Sequence, residues 1–95
     1  MEQIPLSQTY LESVRRRCEA TTIGPWISMI EGRDHTSGDS VIKRGPNGLE
    51  EDLYLSGGTT EDQDFIAHAR QDIPILLDEI ERLRKKMTEL GIKDI

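Results

Sequence analysis

The stretch Ala20-Thr21-Thr22-Ile23-Gly24-Pro25-Trp26 constrains this chain more than any other, because Thr22, Gly24 and Pro25 all resist helix continuation. Pro25 lacks an amide hydrogen and biases Gly24 away from the right-handed helical region, while Gly24 tolerates backbone angles closed to other residues. A helix arriving from upstream must end here, and Trp26, the single tryptophan, opens the next element. An indole just past such a stop either plugs a core or offers a stacking platform.

Upstream, Leu6, Tyr10, Leu11, Val14 and Cys18 recur at helical spacing behind Ser7, a suitable N-cap, and predict a helix over residues 6–20. Downstream the period changes. Residues 26–30 read as a strand, 31–39 as a polar loop, 40–43 as a second strand, Gly45-Pro46-Asn47-Gly48 as a turn and 52–55 as a third strand. Thr60-Glu61-Asp62-Gln63 matches a capping box in which Thr60 covers an orphan amide and Gln63 reaches back, so a short helix should start near Glu61. Phe65, Ile66 and Ala69 give it an apolar side. Asp72-Ile73-Pro74 then reads as a restart, with Asp72 as N-cap and Pro74 in the first turn of a long helix over residues 73–90. Gly91 is its natural C-cap, and residues 92–95 are expected to fray.

In the last helix Leu76, Ile80, Leu83, Met87 and Leu90 alternate at spacings of four and three. Such a seam serves either a dimeric coiled coil or packing on the chain's own sheet and first helix, and Ile73 and Leu77 widen it beyond a strict a/d line. Glu81 with Lys85, and Asp78 with Arg82, are expected to pair one turn apart on the solvated side. The expected architecture is α+β: an N-terminal helix, a three-stranded antiparallel meander, a short helix and a long C-terminal helix packed on the sheet. All of it should form a single domain over residues 1–95, and a homodimer would add burial that so small a Leu- and Ile-rich core lacks.

Charge narrows the function. A formal net charge of -6 disfavours general nucleic-acid binding, which draws most of its affinity from neutralising phosphates, although Arg15, Arg16 and Arg17 form a local basic cluster. One cysteine, Cys18, excludes an internal disulfide framework and fits a reducing cytoplasm. Met1-Glu2-Gln3-Ile4-Pro5 lacks the basic start and apolar run of a signal peptide, and no stretch is long enough to span a bilayer, so a soluble intracellular protein is expected.

Catalytic patterns are sparse. His35 stands near Asp34 and Asp39 without metal-ligand spacing, so no metal and no cofactor are expected. No Gly-x-Ser-x-Gly elbow is present. Gly57-Gly58-Thr59-Thr60 lacks the lysine of a phosphate loop and is crowded by Glu61, Asp62 and Asp64. His68 lies one helical turn after Asp64, a spacing at which a carboxylate can orient an imidazole for general-base work. On the first helix Arg17 falls at the border of the apolar face, the arginine placed to fold inward. Beside Trp26, Thr21 and Thr22 its guanidinium would clamp a phosphate or stack on a base; alternatively it would pair with a carboxylate such as Asp62 and tie the first helix to the later ones.

Two segments together resemble a family of small proteins encoded by bacteriophages and prophages. Glu19-Ala20-Thr21-Thr22-Ile23-Gly24-Pro25-Trp26 is similar to their Ala-x-x-x-Thr-Pro-Gly-Pro-Trp signature, with Ile23 where many relatives carry the first proline. Residues 62–77, with Phe65-Ile66-Ala67, Ala69-Arg70 and Asp72-Ile73-Pro74, resemble their second block, and Glu79-Ile80-Glu81-Arg82-Leu83 matches its Glu-x-x-Arg-Leu ending. The resemblance covers about a third of the chain and implies an accessory role in a bacterial cytoplasm. Among the matched positions Asp62, Arg70 and Trp26 have chemistry beyond turn, cap or core.

The expected function is therefore a non-enzymatic binding protein of counter-defence type, acting on a host protein or sequestering a nucleotide-like ligand. Its candidate ligand-binding residues are Arg17, Thr22, Trp26, Asp62, His68 and Arg70. The alternative is a small hydrolase or transferase using His68 with Asp64 or Asp62.

Overall fold

Ser7 starts the first helix as its sequence position suggests: its hydroxyl accepts the Tyr10 amide at 3.0 Å and its carbonyl the Leu11 amide at 3.1 Å. The helix, α1, spans Gln8–Ala20 and ends at the Thr-Thr-Ile-Gly-Pro stop, where the Gly24-Pro25 peptide bond is cis. The computed structural model describes residues 6–91, so the leader reading and the fraying expected at residues 92–95 lie outside it. Among the described residues no helix is long and apolar enough to cross a membrane.

The fold is α+β. Two strands, β1 (Trp26–Met29) and β2 (Val41–Arg44), pair antiparallel with Trp26 opposite Arg44 and Met29 opposite Val41. A short 3-10 turn, Pro46–Gly48, follows β2. Gly45 introduces that turn at φ +81°, a conformation that favours glycine, and a Cβ there would also push the exposed Glu50 side chain aside. The third strand of the expected meander does not form. Residues 52–55 contribute a single antiparallel bridge, Leu53 exchanging both backbone hydrogen bonds with Ile42 at 2.9 and 3.0 Å. Asp52 turns its carboxylate to Lys43 and the Tyr54 ring is exposed, so this segment lacks the apolar alternation that would extend the ladder.

The predicted short helix and long helix are one element, α2, spanning Thr60–Glu89 with Pro74 inside it. Its N-cap is Thr59 rather than Thr60: the Thr59 hydroxyl accepts the Asp62 amide and the Asp62 carboxylate accepts the Thr59 amide, both at 3.0 Å. This is a capping box shifted by one residue, and it releases Gln63 from the role expected of it. At the other end Gly91 adopts φ +82° and donates to the Thr88 carbonyl at 3.0 Å, the predicted C-cap.

The chain divides into two compact units, one of residues 21–72 and one of α1 with residues 73–91. In the first, Ile30, Val41, Ile42 and Ala67 form the buried centre, and Ile42 is fully buried. Gln63, 4% exposed, fixes the first part of α2 on the sheet by donating to the Val41 carbonyl at 3.0 Å and the Ser28 hydroxyl at 3.1 Å. In the second unit, Leu11 and Leu77 are buried. Arg15 donates to Asp78 at 2.9 Å and to Glu81 at 3.0 Å, and Arg84 bonds the Leu6 carbonyl, so α1 runs antiparallel to the later part of α2. The expected pairs of Asp78 with Arg82 and Glu81 with Lys85 give way to these, and Arg82 turns back to Glu79. A helix lying alongside supplies a cation that both carboxylates reach at once.

Candidate functional site around Trp26

Thr22 gathers the polar side chains of the 21–72 unit. Its carbonyl accepts the indole Nε1 of Trp26 at 3.0 Å and the Nε of Arg70 at 3.2 Å, and its hydroxyl accepts Nη1 of Arg44 at 2.8 Å. The strand register places Arg44 opposite Trp26, and the guanidinium stands over the indole with its carbon 5.7 Å from the ring centroid. Arg44 also grips the Glu51 carbonyl through Nε and Nη2, at 3.1 and 2.8 Å. Of the predicted site residues, Thr22, Trp26 and Arg70 are thus brought together.

Gln71 completes the frame. Its carboxamide accepts the Trp26 amide at 2.7 Å and donates to the Trp26 carbonyl at 3.0 Å, so a side chain of α2 pairs with the edge of β1 as a neighbouring strand would. Trp26 is half-buried, its polar edge tied to Thr22 and its ring lining an open groove of ≈ 390 Å³. Pro25, Ile27, Ser28, Arg33, Asp64, His68 and Gln71 line the rest of it.

The charges in the groove are paired. Arg33 forks onto Asp64, Nη1 to Oδ2 at 2.7 Å and Nη2 to Oδ1 at 3.0 Å, and it also reaches Asp34 at 2.8 and 3.0 Å. Asp34 in turn accepts the Ile30 amide at 2.8 Å, which fixes the loop that follows β1. The Arg33 guanidinium and the Ser28 hydroxyl hold the Asp64 carboxyl at a pKa of about 2, and Arg33 together with the Ile30 amide lowers that of Asp34. The Arg33 guanidinium is itself raised by the same two carboxylates.

His68 lines the groove one turn after Asp64, but both oxygens of that carboxylate are engaged by Arg33. Asp62, the other partner considered for His68, caps α2 through Thr59. Arg17 is exposed on α1, in the other compact unit, and the arginine of α1 that folds inward is Arg15. Among the described residues no three His, Cys, Asp or Glu side chains converge as metal ligands; His35 instead receives the Ser37 amide on Nδ1 at 3.1 Å and organises its own loop.

Sequence reasoning missed Arg33, Arg44 and Gln71. Arg44 was within reach of it, since extending the second strand by one residue sets it across from Trp26. No family model, curated protein or solved structure matches this chain.

Proposed function

We propose that this chain is a non-enzymatic accessory binding protein of phage or prophage type, acting in a bacterial cytoplasm, and that it engages a host protein through the groove beside Trp26. Counter-defence is the biological setting the resemblance implies. The observation that carries the choice of a protein target is the state of the arginines. Arg33 is forked onto two carboxylates and Arg44 is bound to Glu51 and Thr22, so neither guanidinium stands ready for a phosphate. Arg33 and Asp64 cancel within the lining, and the chain as a whole carries -6. A nucleotide-like anion would have to break these pairs to reach Arg33 or Arg44. A protein side chain set against the indole, Pro25 and the exposed Ile27 would not.

A hydrolase or transferase built on His68 needs a carboxylate that can turn to the imidazole. The Asp64 carboxylate is held by Arg33 and that of Asp62 accepts the Thr59 amide, which favours the binding reading.

A photo-crosslinking residue placed at Ile27, or at His68, should trap the same host protein in cells, and one placed at Lys85 should not. Calorimetric titration with nucleotides, cyclic ones included, should give no saturable heat. Saturable binding of a nucleotide with quenching of Trp26 fluorescence would replace the protein target by a ligand, and no adduct from either groove position would remove the groove from the proposal.

A further inference from the structure

We infer that the face of α2 carrying Ile73, Leu76, Ile80, Leu83, Met87 and Leu90 binds a second copy of this chain as a parallel two-stranded coiled coil. All six lie in the unit that contains α1 and recur at alternating spacings of three and four, five of them within α2 and Leu90 one residue past its end at Glu89. Ile73, Ile80 and Met87 take the a positions of a heptad, and Leu76, Leu83 and Leu90 take the d positions.

The d line is open. Leu76 is 59%, Leu83 46% and Leu90 67% exposed, whereas Leu77 on the adjoining flank is 4% exposed. One exposed leucine is ordinary, but three aligned a heptad apart form an apolar strip that a solvated helix does not otherwise carry. The flank that holds Leu77 also holds Arg84, which bonds the Leu6 carbonyl beside α1. Helix α2 is therefore supported from one side before a partner arrives, and association does not bear the ordering cost of two unfolded strands.

The occupant follows from the side-chain types and charges. Isoleucine at a with leucine at d is the composition that favours two parallel strands. In that register Glu79, at g, stands opposite the partner's Arg84, at e, so the two-fold axis sets this opposite-charge pair together twice while Arg84 Nη2 keeps its bond to the Leu6 carbonyl. The next such pair, Lys86 with Gly91, brings no like charges together. In the single chain Glu79 is forked by Arg82 on its own helix, a pair exposed on both sides that the partner's Arg84 would join.

Sedimentation equilibrium of the full chain over a dilution series should give twice the 10.8 kDa chain mass. Leu76→Glu and Leu83→Glu change side chains that are exposed in the single chain, so each should return the mass to one chain with the helical circular dichroism and Trp26 fluorescence retained. Leu90→Cys in a Cys18→Ser background should oxidise to a covalent dimer, because equivalent d positions face one another in a parallel pair and stand at opposite ends in an antiparallel one. A parent chain that stays monomeric at every concentration overturns the inference, as does a dimer indifferent to both glutamates. A dimer whose Leu90→Cys form resists oxidation to a covalent pair overturns the parallel arrangement.

Discussion

Three donors converge on Thr22, and they come from a strand-opening indole, from β2 and from α2. The turn from Thr22 to Trp26 and the Arg70-Gln71 part of α2 therefore meet in space: Arg70 bonds Thr22, and Gln71 clamps the backbone of Trp26. Much of what looked like surplus chemistry in Trp26, Asp62 and Arg70 is the chemistry of holding this unit together. The Arg33 fork behaves alike and gives a pH signature. The Asp64 carboxyl is lowered from 3.8 to about 2 by Arg33 first and Ser28 second, so its contribution to stability is complete above the unfolded value and is lost as pH falls toward about 2. Asp34, lowered by the same guanidinium, acts in the same direction. Arg33→Met should consequently be less stable than the parent at neutral pH, and the gap between their thermal midpoints should close as the pH drops through that window. A gap that stays constant down to the acid limit would mean that the fork contributes nothing. Thr22 and Trp26 could be picked out from the chain because a helix stop is a local signal, and Arg70 is marked only by the resemblance of its segment. Gln71 could not, since a bond between residues 45 apart leaves no trace in local spacing, whereas Arg44 needed only one more residue of the second strand.

At the scale of elements, α2 is where sequence and structure part most clearly. Asp72-Ile73-Pro74 carries every mark of a helix start, yet the helix passes through it, because both flanks of Pro74 are held from the side: Gln63 and Gln71 against the sheet, Leu77 and Arg84 in the α1 unit. Side packing of this kind outweighs a local propensity. The proline still removes the amide that Arg70 would otherwise receive in the ladder. Pro74→Ala should therefore stabilise the chain, by up to about 3 kcal/mol in denaturant unfolding, and a loss of stability would show that the ring's own packing outweighs the missing bond. Thr59→Ala, which leaves the Asp62 amide without its acceptor, should cost about 1 kcal/mol, whereas Thr60→Ala should leave the unfolding midpoint nearly unchanged. Equal effects at the two threonines would return the cap to Thr60. The ends of α1 and α2 were readable because Ser7 and Gly91 act through neighbours within a turn, and the third strand failed because a bridge at Leu53 needs no run of strand-forming side chains.

Across the molecule, a small number of buried side chains stands against the ordering cost of the chain, and Ile42 is the one fully buried large residue among those described. It pairs with Ser28 in the ladder and with Leu53 at the isolated bridge, so its side chain is the centre on which the sheet and the 52–55 segment both depend. Truncation there leaves a cavity that a two-stranded sheet with a tight Gly45 turn has little freedom to close. Ile42→Val should cost about 0.5–1.5 kcal/mol and Ile42→Ala about 2–5 kcal/mol, a large fraction of what a domain of this size has available. Trp26 belongs to the same unit, so its fluorescence reports that loss directly, while the circular dichroism reports mainly α1 and α2. Both variants should lower the fluorescence-detected midpoint, alanine more than valine, and Leu11→Ala in the other unit supplies the comparison for a buried side chain that does not touch the sheet's own pairing. If Ile42→Ala leaves the Trp26 transition where it was, the sheet is held by the Gln63 and Gln71 bonds rather than by its apolar centre.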